Sequence, residues 1–181
     1  MIAAVARTRV DRSAGSRVHA ALATLLNDLA AVVLQVPPAV YTARRLPGVS
    51  GSVGEHVRHV LDHVAAFVGT AGQQVLTYDH RERGTAIEHD SGAALRGIMR
   101  LKALLDDIDG DRLEDVVTVS AVIERGAAPV LMRSTRRREL AFVISHTVHH
   151  QALIAVLLAA AGEPVPQAFG LAPSTPIAGR T

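Results

Sequence analysis

The stretch Arg138-Glu139-Leu140-Ala141-Phe142-Val143-Ile144-Ser145-His146-Thr147-Val148-His149-His150-Gln151 decides how this sequence is read, because it sets three imidazoles into an otherwise apolar helical pattern. At about 100° of rotation per residue, His146 and His150 share a stripe with Val143, Ile154 and Leu157, while His149 points well to one side. Two neutral imidazoles one turn apart on a core-facing stripe form the smallest helical metal clip. With nine histidines in 181 residues, some pair at helical spacing is expected by chance, so this one needs support from elsewhere in the chain.

That support comes from a second group. Ser52 with Glu55 three residues on is a capping-box pattern, and it opens a helix that runs through His56, Val57, His59, Val60, His63 and Val64 to about Val75. Six of the nine histidines therefore fall in two helical groups. Before them, Val18, Leu22, Leu25, Leu29, Val32 and Val33 recur at three- and four-residue intervals, predicting a first helix that Pro37-Pro38 ends. After them, Tyr78 to Gly84 and Glu88-His89-Asp90 read as a charged connection, and a third helix runs from Ser91 through Leu105 to a stop at Asp109-Gly110-Asp111. Asp115 to Glu124 is rich in β-branched residues and, with Val130 to Arg133 after the Gly126 to Pro129 turn, predicts a hairpin. Ser134-Thr135 then caps the last helix, from near Arg136 to Ala161, with Gly162 as its stop.

The expected architecture is all-α: an up-down four-helix bundle over residues 1–162, with a small β-hairpin between helices three and four. Residues 163–181, carrying four prolines, are expected to form an irregular surface tail. At 49% hydrophobic content the chain can bury a substantial core in one domain. Its longest apolar stretch, Gln151 to Gly162, is short for a bilayer span, and no secretory signal is evident, so the expected setting is cytoplasmic and free of membrane. The absence of cysteine removes disulfides, thiolate metal sites and a cysteine nucleophile together, so any metal takes N and O ligands. A net charge of +2, 3% aromatics and no tryptophan argue against nucleic acid as a partner, even though Arg133 to Arg138 is locally basic.

The segment Ser52-Val53-Gly54-Glu55-His56-Val57-Arg58-His59 resembles the first-ligand helix of the DinB/YfiT-like metalloenzyme superfamily. His146-Thr147-Val148-His149-His150-Gln151 resembles its closing His-x-x-x-His motif, and the helix order with a late hairpin is also similar. The resemblance implies a four-helix bundle, often a homodimer, that holds a divalent metal on three histidines. Carried over, these are His59, His146 and His150. Zinc is the first expectation, with nickel or iron as the other imidazole metals. Relatives include bacillithiol- and mycothiol-dependent S-transferases, which adds a low-molecular-weight thiol as cofactor. Members frequently carry a tryptophan just before the first-ligand helix, and this chain has none. On helix two the helical wheel disagrees with the resemblance, since His56 and His63 flank the Val53, Val57, Val60 and Val64 stripe whereas His59 lies nearly opposite it.

The function expected from these residues is metal-dependent transfer of a small-molecule thiol to an electrophile, or metal-assisted hydrolysis, acting on a small-molecule substrate. The alternative is a non-catalytic metal- or ligand-binding dimer. A three-His metal with an open position lowers the pKa of a bound thiol or water. Glu139, about two turns before His146 on the same stripe, is the candidate proton acceptor or partner of a ligand histidine. Arg81 and Arg83 on the charged connection, and Arg138 beside the last helix's start, are the candidates for gripping anionic groups of a thiol cofactor or substrate.

Overall fold

The computed structural model describes residues 13–44, 48–70, 75–80 and 82–176. It is mostly helical, with one small sheet. The first helix, α1 (Ser13–Gln35), buries Leu22, Leu26 and Leu29 completely. Pro37 ends it as expected, but Pro38 also opens a four-residue helix, α2 (Pro38–Tyr41), because proline's fixed φ suits a first helical position where no N–H is needed. Tyr41 is fully buried, and its hydroxyl donates to the Ile87 carbonyl at 2.7 Å.

Helix α3 (Val53–Gly69) starts on the expected capping box: Glu55 N donates to Ser52 Oγ at 3.2 Å, and Ser52 N to Glu55 Oε2 at 2.7 Å. It stops at Gly69, short of the expected end near Val75, and the Thr70 hydroxyl donates to the Ala66 carbonyl in its last turn. Val75–Thr77 instead forms β1, because these residues find hydrogen-bonding partners on an open strand edge further along the chain. The charged connection holds a short helix, α4 (Ala86–His89), and Asp90 caps α5 (Ser91–Asp106) by accepting from Gly92 N at 2.8 Å. A 3₁₀ turn at Gly110–Glu114 buries Leu113.

The hairpin forms as expected from β2 (Val116–Ala121) and β3 (Val130–Thr135), antiparallel with Val117 opposite Ser134. With β1 running parallel to β2, Val75 opposite Thr118, the two-stranded expectation becomes a three-stranded mixed sheet of order β1-β2-β3. Leu76, Val117 and Val119 form its small apolar patch. Helix α6 (Arg136–Ala160) follows directly, Thr135 Oγ1 accepting from Arg138 N at 3.3 Å, and Gly162 leaves it at φ 78°.

The main core lies between the long helices. α3 packs on α6, α5 and α4, and α1 packs on α5 and α6. Val57, Val60 and Val64 of α3 meet Ile98 and Leu105 of α5 and Leu140, Val143 and Ile154 of α6, each essentially buried. Removing each such side chain from water is worth about 1.5–3 kcal/mol. Because α3 is enclosed by several neighbours, only Ala65 and Gly69 along it are exposed. Residues 163–176 are irregular, but they do not all lie on the surface as the sequence leads one to expect, since Phe169 is buried in the main core. By length and mean hydropathy of 1.5, Arg17–Gln35 and Arg136–Ala160 are each long and apolar enough to cross a membrane, and here both pack among the core helices.

Candidate metal centre

Two elements build the site. α3 presents His56, His59 and His63, α6 presents His146, His149 and His150, and the packing of one helix against the other brings the two groups together. His59, His146 and His150 each offer a ring nitrogen, all within 4.8 Å of one another. The Nε2 atoms of His59 and His146 are 3.1 Å apart. Tetrahedral ligands at about 2.1 Å from a metal stand about 3.4 Å from each other, so the spacing of this pair is close to that of two ligands of one ion.

The remaining imidazoles take other partners. His56 Nδ1 lies 3.0 Å from His150 Nδ1, and His56 Nε2 is buried with no hydrogen-bond partner. His63 turns its Nδ1 to the His59 carbonyl at 3.0 Å and stacks on His146 with ring centroids 3.8 Å apart. His149 is exposed, its ring 5.1 Å from that of His150. On helix two both sequence arguments therefore describe something real. His56 and His63 are the more deeply buried, as the wheel expects, while His59 is the one grouped with His146 and His150.

Burial, and then the neighbouring His146, His59, His56 and His149, push the pKa of His150 far below its ordinary value. Burial likewise lowers that of His56, partly opposed by Glu55. Both imidazoles are thus neutral near pH 7, the form that offers a lone pair to a metal.

The histidines open into a cleft of about 510 Å³ lined by Arg44, Arg58, Arg83, His56, His59 and His150. Arg83 is on its exposed rim, where the sequence places a grip for anionic groups. Arg44 sits in the connection between α2 and α3, and its Nε donates to Glu55 Oε2 at 3.0 Å. Arg58, which sequence reasoning passed over, is buried and pairs with Asp62 one turn on and with Glu88 of α4 at 2.5 Å. The Arg58–Asp62 spacing was visible, but the Glu88 partner needed the third dimension.

Glu139 and Arg138 are placed elsewhere. The Glu139 carboxylate is buried, accepts from Ser134 Oγ at 2.6 Å and lines a different cavity together with Arg138. The shared helical stripe with His146 is real, but two turns of helix carry Glu139 past the cleft to the sheet side. Arg81 lies outside the described residues.

No family model matches this chain, and no solved structure matches it. Among curated proteins, 102 of its residues are 33% identical to FK506-binding protein 5 of Rhizopus delemar, covering 56% of this chain and 26% of that protein. The aligned part of the chain thus spans about a quarter of that relative's length, and the similarity does not assign the chain to a family.

Proposed function

We propose that the chain is a metal-dependent enzyme of the DinB/YfiT type, its four long helices forming the up-down bundle, and that it transfers a small-molecule thiol to an electrophile. The observation that carries this reading is the convergence of His59, His146 and His150 from α3 and α6 to within 4.8 Å, with His59 and His150 lining an open cleft. These three would hold the metal, zinc first by the chemistry of a neutral imidazole set. A divalent ion bound there supplies a Lewis acid that lowers the pKa of a coordinated thiol or water. The chain has no cysteine of its own, so the thiol comes from a small molecule.

The protein's own groups do the rest. His56 sets the rotation of the His150 ring through their Nδ1 atoms. Arg83 and Arg44 at the cleft attract anionic groups of the thiol or substrate. Arg58 is engaged by Glu88 and Asp62 and fixes the cleft wall.

Metal analysis of untagged protein tests the reading: about one divalent ion per chain is expected, lost in His146→Ala and His150→Ala. Full occupancy in those variants would sink it. Metal bound without turnover of any thiol and electrophile pair would favour a non-catalytic binding protein. The homodimer is tested by light scattering on the eluted protein.

A further inference from the structure

His56 uses only one of its two ring nitrogens within the protein. The residue is 7% exposed and lines the histidine cleft, and its Nδ1 lies 3.0 Å from His150 Nδ1. Its Nε2 is buried with no hydrogen-bond partner. Folded proteins leave few buried polar atoms unpaired, because such an atom has given up water without replacing it. Gly51, which lines the same cleft, stands beside this nitrogen: a Cβ there would lie 3.8 Å from Nε2. With φ at 101° the position favours glycine, so no side chain from it closes over His56.

The pairing with His150 decides which form Nε2 takes. A neutral imidazole carries its proton on one nitrogen and a lone pair on the other. A metal on His150 Nε2 leaves that ring's proton on Nδ1, which donates to His56 Nδ1. The proton of His56 is then on Nε2, as an N–H without an acceptor. The charges of the cleft favour a negative one. Arg44 pairs with Glu55 and Arg58 with Glu88, whereas Arg83 is exposed at the rim with no carboxylate partner among the described residues.

We propose that His56 is a substrate contact: its Nε2–H donates to a carboxylate oxygen in the cleft, and Arg83 supplies the charge that draws the carboxylate in. This rests on the metal reading of the histidine site, because the ligand role of His150 is what places the proton. It adds a substrate class, a small molecule bearing a carboxylate. It also divides the work of one ring, with Nδ1 on the ligand histidine and Nε2 on the substrate.

The isotope-labelled full chain, loaded with zinc, is titrated with acetate while its imidazole nitrogens are followed by NMR. His56 should be protonated at Nε2 and bare at Nδ1, and acetate should shift the Nε2 signal saturably. Acetamide, which offers an acceptor without the charge, should bind about tenfold more weakly. His56→Asn sets an acceptor where Nδ1 stands and leaves nothing at Nε2. Its zinc affinity should stay within about threefold while its acetate affinity falls about tenfold. Arg83→Ala, at an exposed position, should weaken acetate by a similar factor without lowering zinc affinity. A His56 proton on Nδ1, no saturable shift, or full acetate affinity in His56→Asn, as acetate bound only to the zinc would give, overturns the assignment while the metal reading stands. Absence of zinc binding in the unsubstituted chain fails the metal reading and overturns this one with it.

Discussion

The Nδ1 atoms of His56 on α3 and His150 on α6 stand 3.0 Å apart, with both rings buried. Two neutral imidazoles at this distance share one proton, one nitrogen donating and the other accepting. When His150 donates, its Nε2 carries the lone pair, and that is the form a metal ligand needs. His56→Ala should therefore weaken metal binding by about 10–100-fold while leaving the stoichiometry at saturating metal unchanged. A competition titration against a chelator reads this directly. Undiminished affinity would assign His56 to packing alone.

Acid should unfold the metal-free protein sooner than its carboxylates alone predict. The folded-state pKa of His150 is lowered by burial and by its four histidine neighbours, and those of His56 and His19 are lowered chiefly by burial. In the unfolded chain these groups titrate near their ordinary value of about 6.5. Below that pH the unfolded state takes up protons that the folded state refuses, so stability is lost as pH falls and none is lost above it. The melting temperature should drop between about pH 7 and about pH 5, and His150→Ala should flatten the slope. A slope unchanged in that variant would contradict the assignment.

At Gly54, α3 lies against the backbone of α4. A Cβ there would lie 2.2 Å from the Glu88 carbonyl oxygen and 2.6 Å from Tyr41 Cε1, atoms held by the Tyr41–Ile87 hydrogen bond and the Arg58–Glu88 ion pair. Gly54→Ala should destabilise by about 1–3 kcal/mol through overpacking. Gly69→Ala, whose Cβ would meet nothing within 4 Å, should instead be neutral or stabilising by about 0.5 kcal/mol. Urea midpoints of the two variants moving in the same direction would refute the close-approach argument.

The features legible in the sequence were those fixed by local chemistry. The capping box at Ser52 and Glu55, the proline stop after α1, the hairpin and the Gly162 exit all rest on residues within a few positions of each other. The features that were not legible depend on distant partners. Val75 reads as a helix end until β2 offers it an edge, and the buried pairing of Arg58 depends on Glu88, thirty positions away. At the candidate site the spacing of His146 and His150 was readable from one helix. Choosing among His56, His59 and His63 required the crossing of α3 and α6, because a helix buried on most of its sides has no single stripe to consult.

Phe169 extends the fold beyond the last helix. Its side chain is 5% exposed within the main core, and Gly170 beside it adopts φ 78° with its Cα against the backbone of α6, where a Cβ would lie 2.5 Å from Ala152 N. Phe169→Ala should cost about 3–5 kcal/mol, as the loss of a buried aromatic ring does. Gly170→Ala should disturb the same docking without removing any apolar surface, by strain and collision with α6. Since both act on one contact, the double variant should be less destabilised than the sum of the two single changes. Denaturant unfolding of the four proteins measures that coupling. Strict additivity, or a loss under about 1 kcal/mol for Phe169→Ala, would mean that the core ends at Gly162 and that the segment merely lies against it.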